Sequence, residues 1–117
     1  MKFMLLIYDD EQSWLRLDEA GREKVFAAHH RFTEELQKRG KLLGGEALQP
    51  STEAALVRKK EGKVVHTDGP FAETKEQLGG FYLVDANDMA EACEWAQRLP
   101  EAENGAIEVR PVMVLDA

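Results

Sequence analysis

Residues 2–8 read KFMLLIY, and every position after the lysine is apolar or aromatic. A strand sends successive side chains to opposite sides. Phe3, Leu5 and Ile7 therefore share one face, and Met4, Leu6 and Tyr8 share the other. A strand with two apolar faces is one that is covered on both. Residues 79–85, GGFYLVD, repeat the pattern, with Phe81 and Leu83 set against Tyr82 and Val84. At least two strands thus belong to a sheet that needs cover above and below.

Two helices are available to provide it. Residues 18–38 have Asp18 as a cap, and Gly40 lies just past the end beside Lys38 and Arg39, the usual stop signals. Val25, His29, Phe32 and Leu36 recur at helical spacing, with Phe26 and Thr33 at the margin of the stripe. His29 sits mid-stripe, whereas His30 turns toward water. Residues 89–99 form the second helix. Asp88 and Glu91 have capping-box spacing. Met89, Ala92, Cys93, Ala96 and Leu99 make its apolar face, Trp95 flanks them, and Pro100 ends it.

Residues 9–13 read as a polar loop. Residues 41–48, KLLGGEAL, read as a strand in which Gly44 and Gly45 mark a bulge or the close approach of another group. Residues 55–59 and 63–67 make a hairpin about Glu61 and Gly62. Residues 107–115 are the last strand, where Pro111 calls for an edge position or a bulge. The order β-α-β-hairpin-β-α-β predicts one domain over residues 1–117 of the α+β class. The expected architecture is a ferredoxin-like antiparallel sheet with both helices on one face. Each Leu, Ile or Phe left in water forgoes about 1.5–3 kcal/mol, and an apolar patch of that size marks an interface. A homodimer through the second sheet face follows as the expectation.

Composition narrows the function classes. The 117 residues carry a net charge of −7, are 44% hydrophobic and 32% charged, and include one cysteine, Cys93. This is a globular composition. The apolar runs are too short to cross a membrane. The opening MKFMLLIYDDEQ lacks the features of a secretory signal, so the cytoplasm is the expected compartment. One cysteine makes neither an intrachain disulfide nor a cysteine-rich metal site, and Cys93 reads as a core residue. An acidic chain is not built for nucleic acid, which needs clustered Lys and Arg. His29, His30 and His66 are too scattered for a metal site, and no P-loop, dinucleotide fingerprint or G-x-S-x-G occurs. No metal or cofactor is expected.

Residues 68–86 read DGPFAETKEQLGGFYLVDA. With MKFMLLIYDDE at the start, KLLGGEALQP in the middle and IEVRPV near the end, this run resembles the YCII-related family, in the branch named for its DGPF motif, over nearly the whole chain. The resemblance implies a ferredoxin-like fold in a dimeric α/β barrel. It also implies a small-molecule ligand and, in the wider family, a pocket histidine and aspartate with lyase-like chemistry. Members of the family keep genomic company with sigma factors of extracytoplasmic signalling, so a sensing module with a sigma factor as partner is the alternative it implies. His29 matches the family's histidine by its place on the first helix. Asp68 is the aspartate carried over from the motif. Where the wider family places its own aspartate, this chain has Glu46.

Each candidate has two readings. His29 is a general acid or base with an imidazole near its working pH, or a half-buried ring satisfied by a backbone carbonyl. Asp68 orients that histidine or holds a substrate hydroxyl, or it opens a rigid Asp-Gly-Pro corner anchored by Phe71. Residues 73–77 are a polar block, read as solvated surface or as a loop that offers Thr74 or Lys75 to a substrate anion. Gly79 and Gly80 precede a strand and read as backbone accommodation, not as a phosphate cradle. Tyr8, Glu46 and Tyr82 pack, or line the pocket with polar tips. The expected enzyme is cofactor-independent, with His29 and Asp68 catalytic and Tyr8, Glu46 and Tyr82 contacting substrate.

Overall fold

The computed structural model describes residues 1–115. Strand β1 spans Lys2–Asp10 and runs straight into helix α1, Glu11–Arg16. The polar loop expected over residues 9–13 is therefore divided between strand and helix. Asp10 makes the junction by accepting the Gln12 amide at 3.0 Å, an N-cap that lets a helix begin where the strand stops. Helix α2, Glu19–Lys38, starts as read, with the Gly21 amide donating to Asp18 at 2.7 Å. Strand β2 is Leu42–Ala47, followed by a single 3-10 turn at Ser51–Glu53. Strands β3, Ala55–Lys60, and β4, Lys63–Asp68, form the hairpin. Glu61 and Gly62 both take positive φ at its turn, the twist that two-residue hairpin loops favour. Strand β5, Glu76–Asp85, starts earlier than expected and takes in part of the polar block.

Helix α3 is shorter than expected, Met89–Ala96. Pro100 opens a further short helix, α4, Glu101–Asn104, as well as closing the region before it. Proline suits a helix start because no intrahelical partner awaits its missing N–H. Strand β6 is Ala106–Pro111, shorter than residues 107–115. It pairs only with β1, so Pro111 lies on an edge strand as anticipated.

One sheet has the order β2-β5-β1-β6 and is antiparallel throughout; β3 and β4 form a separate two-stranded sheet. The fold class is α+β. Register assigns the faces. Leu5 lies opposite Tyr82 and Val109, and Phe3 opposite Val84. These side chains form one core with Ile7, Phe32, Leu36, Ala92, Trp95, Ala96 and Leu99, so α2 and α3 cover the same face. The molecule is only 19 Å thick, the depth of one helix layer on one sheet. On the other face Met4 opposes Leu83 and Leu6 opposes Phe81. All four are partly exposed. The predicted bulge in β2 falls between Leu42 and Gly44.

The expected apolar face of α3 is overturned at two positions. Met89 at its start is 41% exposed. Cys93 is exposed, whereas Trp95 is 3% exposed and buried in the core. Helix α3 is rotated so that its largest apolar side chain goes inward, which removes more surface from water than burying a thiol would. Replacing Leu5, which is fully buried, with Ala is expected to lower unfolding free energy by about 2–5 kcal/mol in urea titrations. Cys93→Ser is expected to change it by less than about 0.5 kcal/mol. A Cys93→Ser loss comparable to that of Leu5→Ala would return the thiol to the core.

Candidate functional site

The apolar stripe on the covered face of β1 runs Phe3, Leu5, Ile7 and then reaches Asp9. At this end of the layer polar groups replace the core. Helix α2 presents His29 one turn before buried Phe32. Strand β5 presents Tyr82, whose ring packs on Phe32 with centroids 4.8 Å apart and lies nearly parallel to the His29 ring at 5.9 Å. Helix α4 presents Glu101. Its closure depends on Gly105, where a Cβ would collide with the Tyr8 carbonyl and crowd Asp9.

These side chains form one hydrogen-bonded line. His29 Nε2 lies 2.8 and 2.9 Å from the two Glu101 carboxylate oxygens, and Nδ1 lies 2.8 Å from Tyr82 Oη. A carboxylate only accepts, so Nε2 carries hydrogen. In the neutral ring Nδ1 is then the acceptor, and the Tyr82 hydroxyl donates to it. The His29 and Glu101 side chains are 21% and 16% exposed. They are sheltered enough for the geometry to be held, and open enough to be reached.

Local electrostatics favour protonated acids here. The Tyr82 phenol is raised above its ordinary value of 10.0, chiefly by burial and further by the Glu101 carboxylate; the Thr33 hydroxyl opposes the shift. The Asp9 carboxyl is also raised, first by burial and then by Glu101, Asp10 and Glu76; the Asp10 amide, which donates to it, pulls the other way. Space for the tyrosine comes from a missing side chain. A Cβ on Gly45 would lie 2.7 Å from Tyr82 Cδ1, which is the close approach that the paired glycines signalled.

The five residues expected at the site separate. His29 and Tyr82 meet. Tyr8 and Glu46 belong to the opposite sheet face, where Tyr8 Oη lies 3.4 Å from Glu108 and Glu46 opposes Phe81. Asp68 ends the hairpin and lines a cleft of about 660 Å³ with Asp10, Glu11, Ser51, Thr74 and Lys75 among others. Both ring nitrogens of His29 are engaged by Tyr82 and Glu101, so Asp68 is not the group that orients it. Glu101 and Asp9 were not foreseen. Glu101 stands 72 positions from His29, and no local pattern announces the contact. Its one signal is its place directly after Pro100, at the start of a helix.

A family model for the YCII-related domain matches residues 1–116. The chain belongs to the YCII-related family. An uncharacterised protein of Rhizobium meliloti (strain 1021) is 39% identical to it over 118 residues, an overlap that takes in 96% of this chain and 92% of the relative. In this YCII-related chain, then, the histidine of the first long helix is paired with a tyrosine and a glutamate.

The raised phenol sets a pH dependence. The folded chain keeps the Tyr82 proton at a pH where the unfolded chain has lost it. This contribution to stability is complete below the ordinary value of 10.0 and is lost as pH rises through the folded value. Ultraviolet titration of the two tyrosines is expected to show one phenol ionising late, a phase that Tyr82→Phe removes and Glu101→Gln shifts to lower pH. A late phase unchanged by Glu101→Gln would remove the carboxylate from the account.

Proposed function

We propose that this chain is a cofactor-independent acid–base enzyme that isomerises, or eliminates a group from, a small oxygenated organic molecule. The observation that carries this reading is the line Glu101–His29–Tyr82. Tyr82 Oη takes a proton from a carbon or hydroxyl of the substrate while passing its own to His29 Nδ1. The imidazolium so formed faces the Glu101 carboxylate, which stabilises its charge. Reversing the transfer at a neighbouring substrate position completes an isomerisation; in an elimination the relay returns the proton to the departing hydroxyl or alkoxide, which leaves as water or an alcohol. Protons and charge balance without an oxidant or reductant. The hydrogen bonds to Glu101 and Tyr82 hold the imidazole in place for the transfer, and positioned acid–base groups of this kind contribute about 10²–10⁴-fold to rate.

The quaternary reading belongs with it. The order β2-β5-β1-β6, with both long helices on one face, supports a ferredoxin-like arrangement. The partly exposed row of Met4, Leu6, Phe81 and Leu83 supports a homodimer of stacked sheets, as in a dimeric α/β barrel. Its cause is the apolar surface left without a helix.

The functional test is a screen of small hydroxy and keto acids in deuterated water, read by mass spectrometry for deuterium uptake or product. Tyr82→Phe and Glu101→Gln are each expected to lower the rate of any hit by at least about 100-fold with the melting temperature nearly kept. Asp68→Asn is expected to leave it unchanged. Full activity in Tyr82→Phe would end the relay. For the assembly, Leu6→Asp is expected to convert a dimer to monomer in sedimentation, and a wild-type monomer at micromolar concentration contradicts the dimer.

A further inference from the structure

The β3–β4 hairpin stands apart from the rest of the protein. Its strands pair only with each other, and all of its residues except Leu56 are exposed. A two-stranded hairpin alone in water is at best marginally stable. The radius of gyration is 16.2 Å, against about 13 Å for a compact chain of this length. On one hairpin face, Val57 and Val64 are diagonal neighbours, 59% and 54% exposed, with Lys59 and His66 opposite them. On the other face Arg58 stacks over the exposed Phe71 ring at 5.3 Å. Charge is divided in the same way. Residues 57–66 hold Arg58, Lys59, Lys60 and Lys63 against Glu61 alone, a net +3, while the remaining residues carry −10 of the total −7.

We propose that this hairpin is a docking arm for a second copy of the chain, with its Val57–Val64 face and cationic tip seated on the rim of the partner's open sheet face. The receiving surface has matching chemistry. The stacked sheets use the Met4–Leu6–Phe81–Leu83 row, so the arm meets the rim beside it: Leu78 and Tyr8, paired on the open face, supply apolar area, and Glu46 on edge strand β2 supplies a carboxylate that is exposed and opposes Phe81. A valine pair flanked by lysine meets an apolar rim flanked by glutamate. The arm supplies charge complementarity, which sets orientation and association rate. It rests on the dimeric reading above but adds a second contact region to it, and it gives the exposed valines and the clustered lysines one common purpose.

The test is sedimentation over a concentration series at low and high salt, with limited trypsin digestion alongside. The wild-type dimer is expected to weaken with salt, and cleavage at Arg58, Lys59, Lys60 and Lys63 to slow as the dimer fraction rises. The triple variant Lys59→Glu, Lys60→Glu, Lys63→Glu is expected to raise the dissociation constant at least about tenfold with an unchanged melting temperature. Glu46→Lys is expected to weaken the wild-type dimer and to restore association when combined with the triple variant. Wild-type association by the triple variant, or hairpin cleavage that ignores concentration, overturns the arm. If Leu6→Asp breaks the dimer and the triple variant does not, the arm alone fails. A monomeric wild type removes both readings. Salt-sensitive binding of duplex DNA that the triple variant abolishes, with the dimer constant untouched, assigns the lysines to nucleic acid and also overturns it.

Discussion

Two helices cannot roof both sides of a four-stranded sheet whose central strands are apolar on each side. That constraint governs the whole molecule. Helices α2 and α3 both go to the Phe3–Leu5–Val84 face, because one core shared between them buries more apolar surface than two half-cores would. The opposite face keeps Met4, Leu6, Phe81 and Leu83 in partial contact with water. Helix cover also runs out along the strands. Where it does, Asp9 continues the stripe of Ile7, and His29 stands one turn before Phe32. The candidate site is thus the polar margin of the one core among the described residues, and its rigidity is borrowed from that core.

The electrostatics of the margin follow from the same position. A phenol and the Glu101 carboxylate hold one imidazole between them, and Asp9 feels the charge of Glu101. Burial and mutual repulsion raise Asp9, and burial with the Glu101 charge raises Tyr82. Groups that keep protons where solvent would remove them suit a site that moves protons. The imidazole sits between a carboxylate that fixes its tautomer and a hydroxyl that can give up a proton. This is the nucleophile–base–orienter logic of hydrolytic triads with a phenol in the first place, and a phenol suits acid–base work better than attack on carbon.

Much of this was legible before the fold was known, because it is local. The two-faced strands, the caps at Asp18 and Asp88, the Glu61–Gly62 turn and the position of His29 in its stripe depend on neighbours a few residues away. What was not legible depends on register or on tertiary turns. Tyr8 and Tyr82 look equivalent as aromatic residues on apolar strands, yet the pairing of Leu5 with Tyr82 sends them to opposite faces. Asp68 reads as a partner for His29 only while the hairpin's direction is unknown. Glu101 reaches His29 because a four-residue helix turns back after Pro100, and no periodicity records such a turn. Cys93 was misplaced because stripe counting treats a thiol and an indole alike, whereas burial favours the larger ring.

A single irregularity ties the site to the open face. In β5, Ile7 opposes Gly80 but Tyr8 opposes Leu78, so Gly79 is an extra residue, a bulge. Without it, Leu78 would share the face of Gly80 and Tyr82, by the alternation of side chains along a strand. With it, Leu78 joins Tyr8 on the open face. On the covered face of β5 and β2, Gly45 then lies opposite Tyr82, and Gly80 and Ala47 follow before Gln77. The β2 backbone can therefore approach closely: a Cβ on Gly80 would lie 3.0 Å from the Glu46 carbonyl oxygen. The Gly-Gly pair thus moves an apolar side chain from the margin where His29 and Tyr82 meet to the open face. Placing a Cβ at Gly80 or removing the bulge would disturb both surfaces at once. The bulge at Gly79 therefore lies between the margin where His29 and Tyr82 meet and the Tyr8–Leu78 end of the open face.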